Sequence, residues 1–201
     1  MFLTHHSHVA DAVLVQKLWS LYEAGYQGVA EAAVTREMLY RSEFEEALAD
    51  PTNRLWVLWD DAAPVAMGMV ATDLARARYI SRAYFELHYP DHVRRGMVHY
   101  IMWLVVHPAK AAQGAIVRLA REALQLEASD GALLVFDAPA IHQPTAEGGF
   151  AEMMSRLSKA FVGGASLQHL ETQHYFAVDF AMSPEHQDVT RPLRVPESAE
   201  R

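Results

Sequence analysis

The stretch "LVVHPAKAAQGAIVRLAREAL" (residues 104–124) decides how the rest of the chain is read. It runs from an apolar segment through His107-Pro108 into a set of small residues, and then into an amphipathic helix. No apolar side chain larger than alanine lies between Pro108 and Ile116. Bare backbone at a helix start presents unpaired N–H groups and the positive end of the helix dipole, an arrangement suited to phosphate. The same residues also make a tight strand-to-helix turn, so their neighbours must decide between the two.

Upstream, "MVHYIMWLVVH" (97–107) is apolar on both faces, as a central strand is. Downstream, helical spacing from Gln113 to Ala128 puts Ile116, Leu119, Ala120, Ala123, Leu124 and Leu126 inward, and Arg118, Arg121, Glu122 and Glu127 outward. Asp130-Gly131 ends that helix, and "ALLVF" (132–136) reads as a second buried strand. Strand, helix and strand form a βαβ unit, so the two strands are expected to be parallel neighbours.

Working outward, a helix is expected over residues 9–24, with Leu14, Leu18, Leu21 and Tyr22 on its buried stripe and Gly25 as its stop. A second runs from Thr35, as cap, to Ala49, and Asp50-Pro51 breaks it. "LWVLW" (55–59) and "PVAMGMVATDL" (64–74) form a hairpin joined through Asp60–Ala63. A loop with a short helix at Arg82–Leu87 follows. Beyond the βαβ unit come a helix over 150–161 and one or two closing strands within 167–180. The expected architecture is a single mixed α/β domain over residues 1–182, a central mixed sheet flanked by helices, with 183–201 a disordered tail. The leader with His5, His6 and His8 is also expected to be disordered.

Composition narrows the function classes. The chain has 201 residues and no cysteine, which rules out disulfides, thiolate metal sites and a cysteine nucleophile. A net charge of −8 argues against a protein that binds nucleic acid by neutralising phosphates. No signal core and no membrane-length apolar run is seen, so the expected compartment is the cytoplasm, away from any membrane. His169 and His174 fall on opposite faces of one strand and no His-Glu-x-x-His set occurs, so no metal is expected. No Gly-Lys-Ser/Thr follows Gly114, which excludes a P-loop.

The element order and the Leu104-Val105-Val106-His107-Pro108 strand followed by Ala111-Ala112-Gln113-Gly114-Ala115-Ile116 resemble the GNAT superfamily of acetyl-CoA-dependent N-acetyltransferases. The resemblance implies a GNAT-like fold and acetyl-CoA as cosubstrate. It implies that the backbone of Ala111 to Ile116 holds the pyrophosphate, and that the freed backbone of Leu104, Val105 and Val106 pairs with the pantetheine arm. Ala111 stands where the family usually carries Arg or Gln, and Lys110 is the nearest substitute cation. The acceptor implied is a small amine or an amino group on a larger molecule, and a homodimer is compatible with the family.

Acyl transfer to an amine needs a proton acceptor, a positioned thioester and help for the departing thiolate. Met102 and Trp103 stand where many family members place a strand carboxylate, and neither takes a proton. The candidate base is His99, which by alternation shares a face with Ile101, Trp103 and Val105; the bland alternative is a satisfied core histidine. Tyr100 is the candidate proton donor to the thiolate, and Glu86, in a polar and aromatic cluster with His88 and Tyr89, is a candidate for binding or deprotonating the amine. Asp137, at the end of its strand, is a further polar residue that equally suits a turn cap. Two other readings stand beside the N-acetyltransferase: a GNAT-like protein that has lost catalysis and serves binding or assembly, and an unrelated α/β domain whose surface aromatics serve an interface.

Overall fold

Strand β4 (Val98–Val106) lies within a five-stranded sheet of order β1-β2-β3-β4-β5. The computed structural model describes residues 1–35, 37–77, 79–142 and 149–177. β1 (Phe2–His6), β2 (Asn53–Asp60), β3 (Ala63–Ala71) and β4 run antiparallel in succession. β5 (Leu133–Val135) is parallel to β4 and is reached through α5 (Ala115–Asp130), so the βαβ unit forms as its sequence implies. The sheet is therefore mixed and flanked by helices.

One face is covered by α1 (Ala12–Ala32) and α2 (Arg41–Ala49), which bury Leu18, Tyr22 and Phe44 against Val57, Met67, Trp103 and Val105. The other is covered by α5 and α6 (Phe150–Val162), with Ala115 and Leu119 on Trp56, Leu58 and Ala66, and Met154 on Ala120 and Leu124. Two short helices, α3 (Arg82–His88) and α4 (Pro90–Arg94), connect β3 to β4.

Local chemistry moves several expected boundaries. Asp11 caps α1 by accepting the Leu14 N–H at 2.8 Å, and the helix runs through Gly25 instead of stopping there. At Gly25 the helix crosses β4 so closely that a Cβ would meet Val105 Cγ1 and sit 2.9 Å from Val106 O. Here glycine supplies close approach, not termination. α2 begins after Tyr40, whose N–H is taken by the Glu43 carboxylate at 2.9 Å, so Thr35 is not its cap. The hairpin turn tightens to Asp61-Ala62, with Asp60 opposite Ala63 and Asp61 at φ 51°.

The expected disordered leader is instead strand β1, paired with β2 from Phe2↔Trp59 to His6↔Leu55. Thr4 Oγ1 accepts from Trp59 Nε1 at 2.8 Å, and the His5 ring lies 4.5 Å from that of Trp56. Burial lowers the pKa of both His5 and His6, for His5 with further lowering from Arg54. Polar side chains hid this strand from a hydrophobic pattern; its aromatic partners, Trp56 and Trp59, lie on another strand.

The chain divides into a unit of Met1–Gln168 and one that starts at His169. In the second, residues 169–177 form no strand, so the expected closing strands are absent from its described part; 178–180 and the expected tail lie outside the described residues. Among the described residues no helix is long and apolar enough to cross a membrane.

Candidate active site

β5 pairs with β4 at Val98, His99 and Tyr100 only. From Ile101 to Val106, β4 is held on one side by β3, and among the described residues no strand pairs with its other side. The two parallel strands thus part like a fork, with Tyr100 at the crotch. A peptide edge left in this way offers alternating N–H and C=O groups to an extended ligand.

The open edge leads to the opening motif. Pro108–Gln113 is a 3-10 helix, Gly114 takes the left-handed conformation (φ 70°, ψ 23°), and α5 starts at Ala115. α5 opens with a bond from Arg118 N–H to Gly114 C=O at 3.1 Å, so the Ala115, Ile116 and Val117 amides belong to the first turn, whose N–H groups lack an intrahelical acceptor. Among the described residues, a Cβ on Gly114 would meet nothing within 4 Å. Ala115 is fully buried under the helix, Ile116 is half-buried and Ala111 is exposed. Lys110 turns away from the motif: its Nζ lies 2.8 Å from Asp60 Oδ2, and that partnership holds the Asp60 carboxyl below its ordinary range.

The strand register also settles which way the candidate side chains face. Met69 pairs with Trp103 and Val70 with Ile101, so Met102 is an extra residue, a β-bulge. The bulge breaks the expected alternation. His99 and Ile101 look toward α5 and α6, whereas Trp103 and Val105 sit in the core beneath α1 and α2. The expectation that all four share one face is corrected on this ground.

His99 is 2% exposed, and its Nδ1 makes a short contact with Glu127 Oε2, itself on a residue 3% exposed. Arg54 completes the group, 3.0 Å from Glu127 and 2.8 Å from Asp130. Burial would lower the Arg54 pKa, but Asp130 and Glu127 together raise it, so the guanidinium remains charged. His99 is thus a core histidine pinned in a buried charge network, not a group presented to the fork. Glu127, expected outward, faces inward. It lies seven residues after Ala120 and three after Leu124 on the buried stripe, and that spacing was the signal for it. Glu86 is exposed and paired with Arg82 at 2.7 Å, one turn away on α3.

Tyr100 lies on the opposite face to His99. Its hydroxyl donates to Asp137 Oδ1 at 2.8 Å, so the proton expected to serve a thiolate is directed at a carboxylate. Asp137 is exposed, whereas Tyr100 is 3% exposed behind it. The exposed ring of Tyr79 stands 6.4 Å from that of Tyr100. Tyr79, one of the surface aromatics of the interface reading, is delivered beside Tyr100 by an irregular loop.

Neither a protein-family model nor a curated protein sequence matches this chain. Among solved structures it is similar to the aminoglycoside acetyltransferase meta-AAC0020 from an uncultured soil metagenomic sample, in complex with sisomicin. The TM-score is 0.51 at 15% identity, over 89% of this chain and 97% of that one. The same enzyme with trehalose gives 0.51 at 14% identity, over the same shares. The ribosomal-protein-S18-alanine N-acetyltransferase from Escherichia coli gives 0.48 at 9% identity, over 80% of this chain and 77% of that one. At such identity the first likeness establishes the fold.

Proposed function

We propose, from the premise that this chain carries the fold of the GNAT acetyltransferases, that it is an N-acyltransferase. It would move an acetyl or other acyl group from coenzyme A to an amine by direct attack. The observation that carries this reading is the fork: β5 stops pairing at Tyr100 and leaves β4 open from Ile101 to Val106, in line with the start of α5. In the proposed complex the backbone of Leu104, Val105 and Val106 pairs with the pantetheine arm, and the amides from Ala111 through Ala112, Gln113, Gly114 and Ala115 to Ile116 face the diphosphate. The cosubstrate supplies a thioester; the chain supplies its alignment.

The open space at Gly114 fits a bulky anion at that turn, and the left-handed backbone there explains why glycine occupies it. With Lys110 committed to Asp60, backbone donors and the helix dipole supply the attraction. The proposed acceptor is an amine, because a solved protein of similar fold is an aminoglycoside acetyltransferase. A small amine and an amino group on a larger molecule fit equally.

Titration calorimetry with acetyl-CoA tests the reading. Gly114→Asp is the informative variant: aspartate tolerates a positive φ, yet puts a carboxylate where the diphosphate would lie. The expected result is binding by the native chain and a loss of about tenfold or more in the variant, or about 1.4 kcal/mol. No heat with the native chain at millimolar cosubstrate ends the proposal. Binding without turnover of any amine favours the binding or assembly role.

A further inference from the structure

A diphosphate concentrates negative charge, and the loop that leads into α5 has no cation to spare for it. We infer that Arg118, on the solvent side of α5 one turn beyond Gly114, binds the diphosphate of the cosubstrate from the helix side. The inference rests on the acyltransferase reading and gives that site the side chain that recognises the charged part of the cosubstrate.

Between His107 and Val117 the ionisable side chains are His107 and Lys110 alone. His107 Nδ1 accepts the Ala109 N–H at 3.2 Å, and Lys110 Nζ is held by Asp60 at 2.8 Å. Arg118 follows on the first turn of α5 and is exposed. Among the described residues its guanidinium has no hydrogen-bond, ion-pair or ring partner, whereas Arg121, three residues on, lies 5.2 Å over the Phe161 ring. Helix geometry sets where Arg118 points. At about 3.6 residues per turn and about 1.5 Å per residue, it stands about 40° around and about 6 Å along the axis from Gly114. Helical side chains lean toward the N-terminus, so each covers the surface one turn before its own Cα. For Arg118 that surface is Gly114, where a Cβ would meet nothing within 4 Å among the described residues. Ala115, Leu119, Ala120, Leu124 and Glu127 take the buried side of the helix and leave Gly114 and Arg118 together on the open one.

The two sources of attraction differ in kind. The first-turn amides and the helix dipole give directed but partial charge. Arg118 adds a full charge on a planar fork of five donors, which matches two phosphate oxygens at once. The sheet-side amides and the guanidinium would then hold the diphosphate between them, with the bare Gly114 as the floor. Position 111 holds alanine, so the cation is supplied from the helix and not from the loop.

The test is calorimetry of the full chain with coenzyme A and with dephospho-coenzyme A, which keeps the diphosphate and lacks the 3′-phosphate. Arg118→Met is expected to raise Kd for both by about tenfold or more, the worth of a hydrogen bond to a charged group. Arg118→Lys keeps the charge without the fork and recovers part of the loss. Added salt weakens binding by the native chain more steeply than binding by Arg118→Met. Arg121→Met and Lys110→Met each remove one positive charge nearby and are expected to change Kd less than about twofold, which separates a contact from bulk charge. Equal urea midpoints for the native chain and Arg118→Met show that folding is not the cause. An unchanged Kd in Arg118→Met, a loss matched by Arg121→Met or Lys110→Met, or a loss that vanishes with dephospho-coenzyme A would each overturn the inference. Failure of the native chain to bind coenzyme A removes the acyltransferase reading itself, and with it the premise used here.

Discussion

An alanine at position 25 would drive its methyl group into Val105 Cγ1 and to within 2.9 Å of Val106 O. One of those neighbours is backbone in the central strand, so relief requires α1 to lift away from β4. Gly25→Ala gains helix propensity, worth about 1 kcal/mol, but overpacking costs about 1–3 kcal/mol. The net expectation is a lower urea midpoint with unchanged m, whereas Gly28→Ala, in the same helix with nothing within 4 Å, raises it. Gly25 also shows why single residues mislead a sequence reading. Glycine serves termination and close approach alike, and only the crossing strand distinguishes them. His99 teaches the same lesson from the other side: its residue type suits catalysis, but its place behind Glu127 removes it from solvent.

At the scale of elements, β2, β4 and α5 are locked by the Arg54, Glu127, His99 and Asp130 group. Removing one member of a buried ion pair leaves its partner uncompensated and costs about 3–5 kcal/mol. Asp130 is partly exposed, and a solvated ion pair is worth about 0–1 kcal/mol. Denaturant unfolding is therefore expected to show a large loss for Glu127→Gln and a small one for Asp130→Asn; similar losses would mean that the network does not act as described. Most elements were legible in periodicity: β4, α5, β5 and α6 lie within a few residues of their expected limits. β1 was not, because its alternation is polar and its stabilisation comes from Trp56 and Trp59 across the ladder. Nor was the bulge at Met102, which arises from pairing register and carries no composition of its own.

For the whole molecule, the same burial and pairing set the response to acid. Burial alone would raise the Asp50 carboxyl, but the Thr52 N–H at 2.9 Å, its hydroxyl at 2.7 Å and Arg76 at 2.6 Å outweigh it and hold the pKa below 3.8. The unfolded chain therefore takes up this proton first as pH falls. The stability Asp50 contributes is complete above 3.8 and is lost as pH falls through the lower folded value. His5 and His6, lowered from 6.5 mainly by burial, likewise favour the folded state above 6.5 and begin to penalise it below. Urea midpoints against pH should decline in two windows, and Asp50→Asn should flatten the more acidic one while lowering stability at neutral pH. A native-like acid decline in that variant would show that Asp50 is not responsible.

By itself the sequence determined the order of elements, the parallel β4–α5–β5 unit, the small-residue turn at Gly114 and the resemblance to an acetyltransferase fold. These follow from periodicity and turn chemistry, which act between residues close along the chain. Only the tertiary structure decided which side chains meet. The bulge at Met102 turned Trp103 and Val105 away from the His99 face, the inward stripe of α5 brought Glu127 to His99, and the parting of β4 from β5 set Asp137 beside Tyr100. A side chain's neighbours across a sheet depend on register and strand divergence, which are settled when distant segments pack and are written in no local stretch of residues.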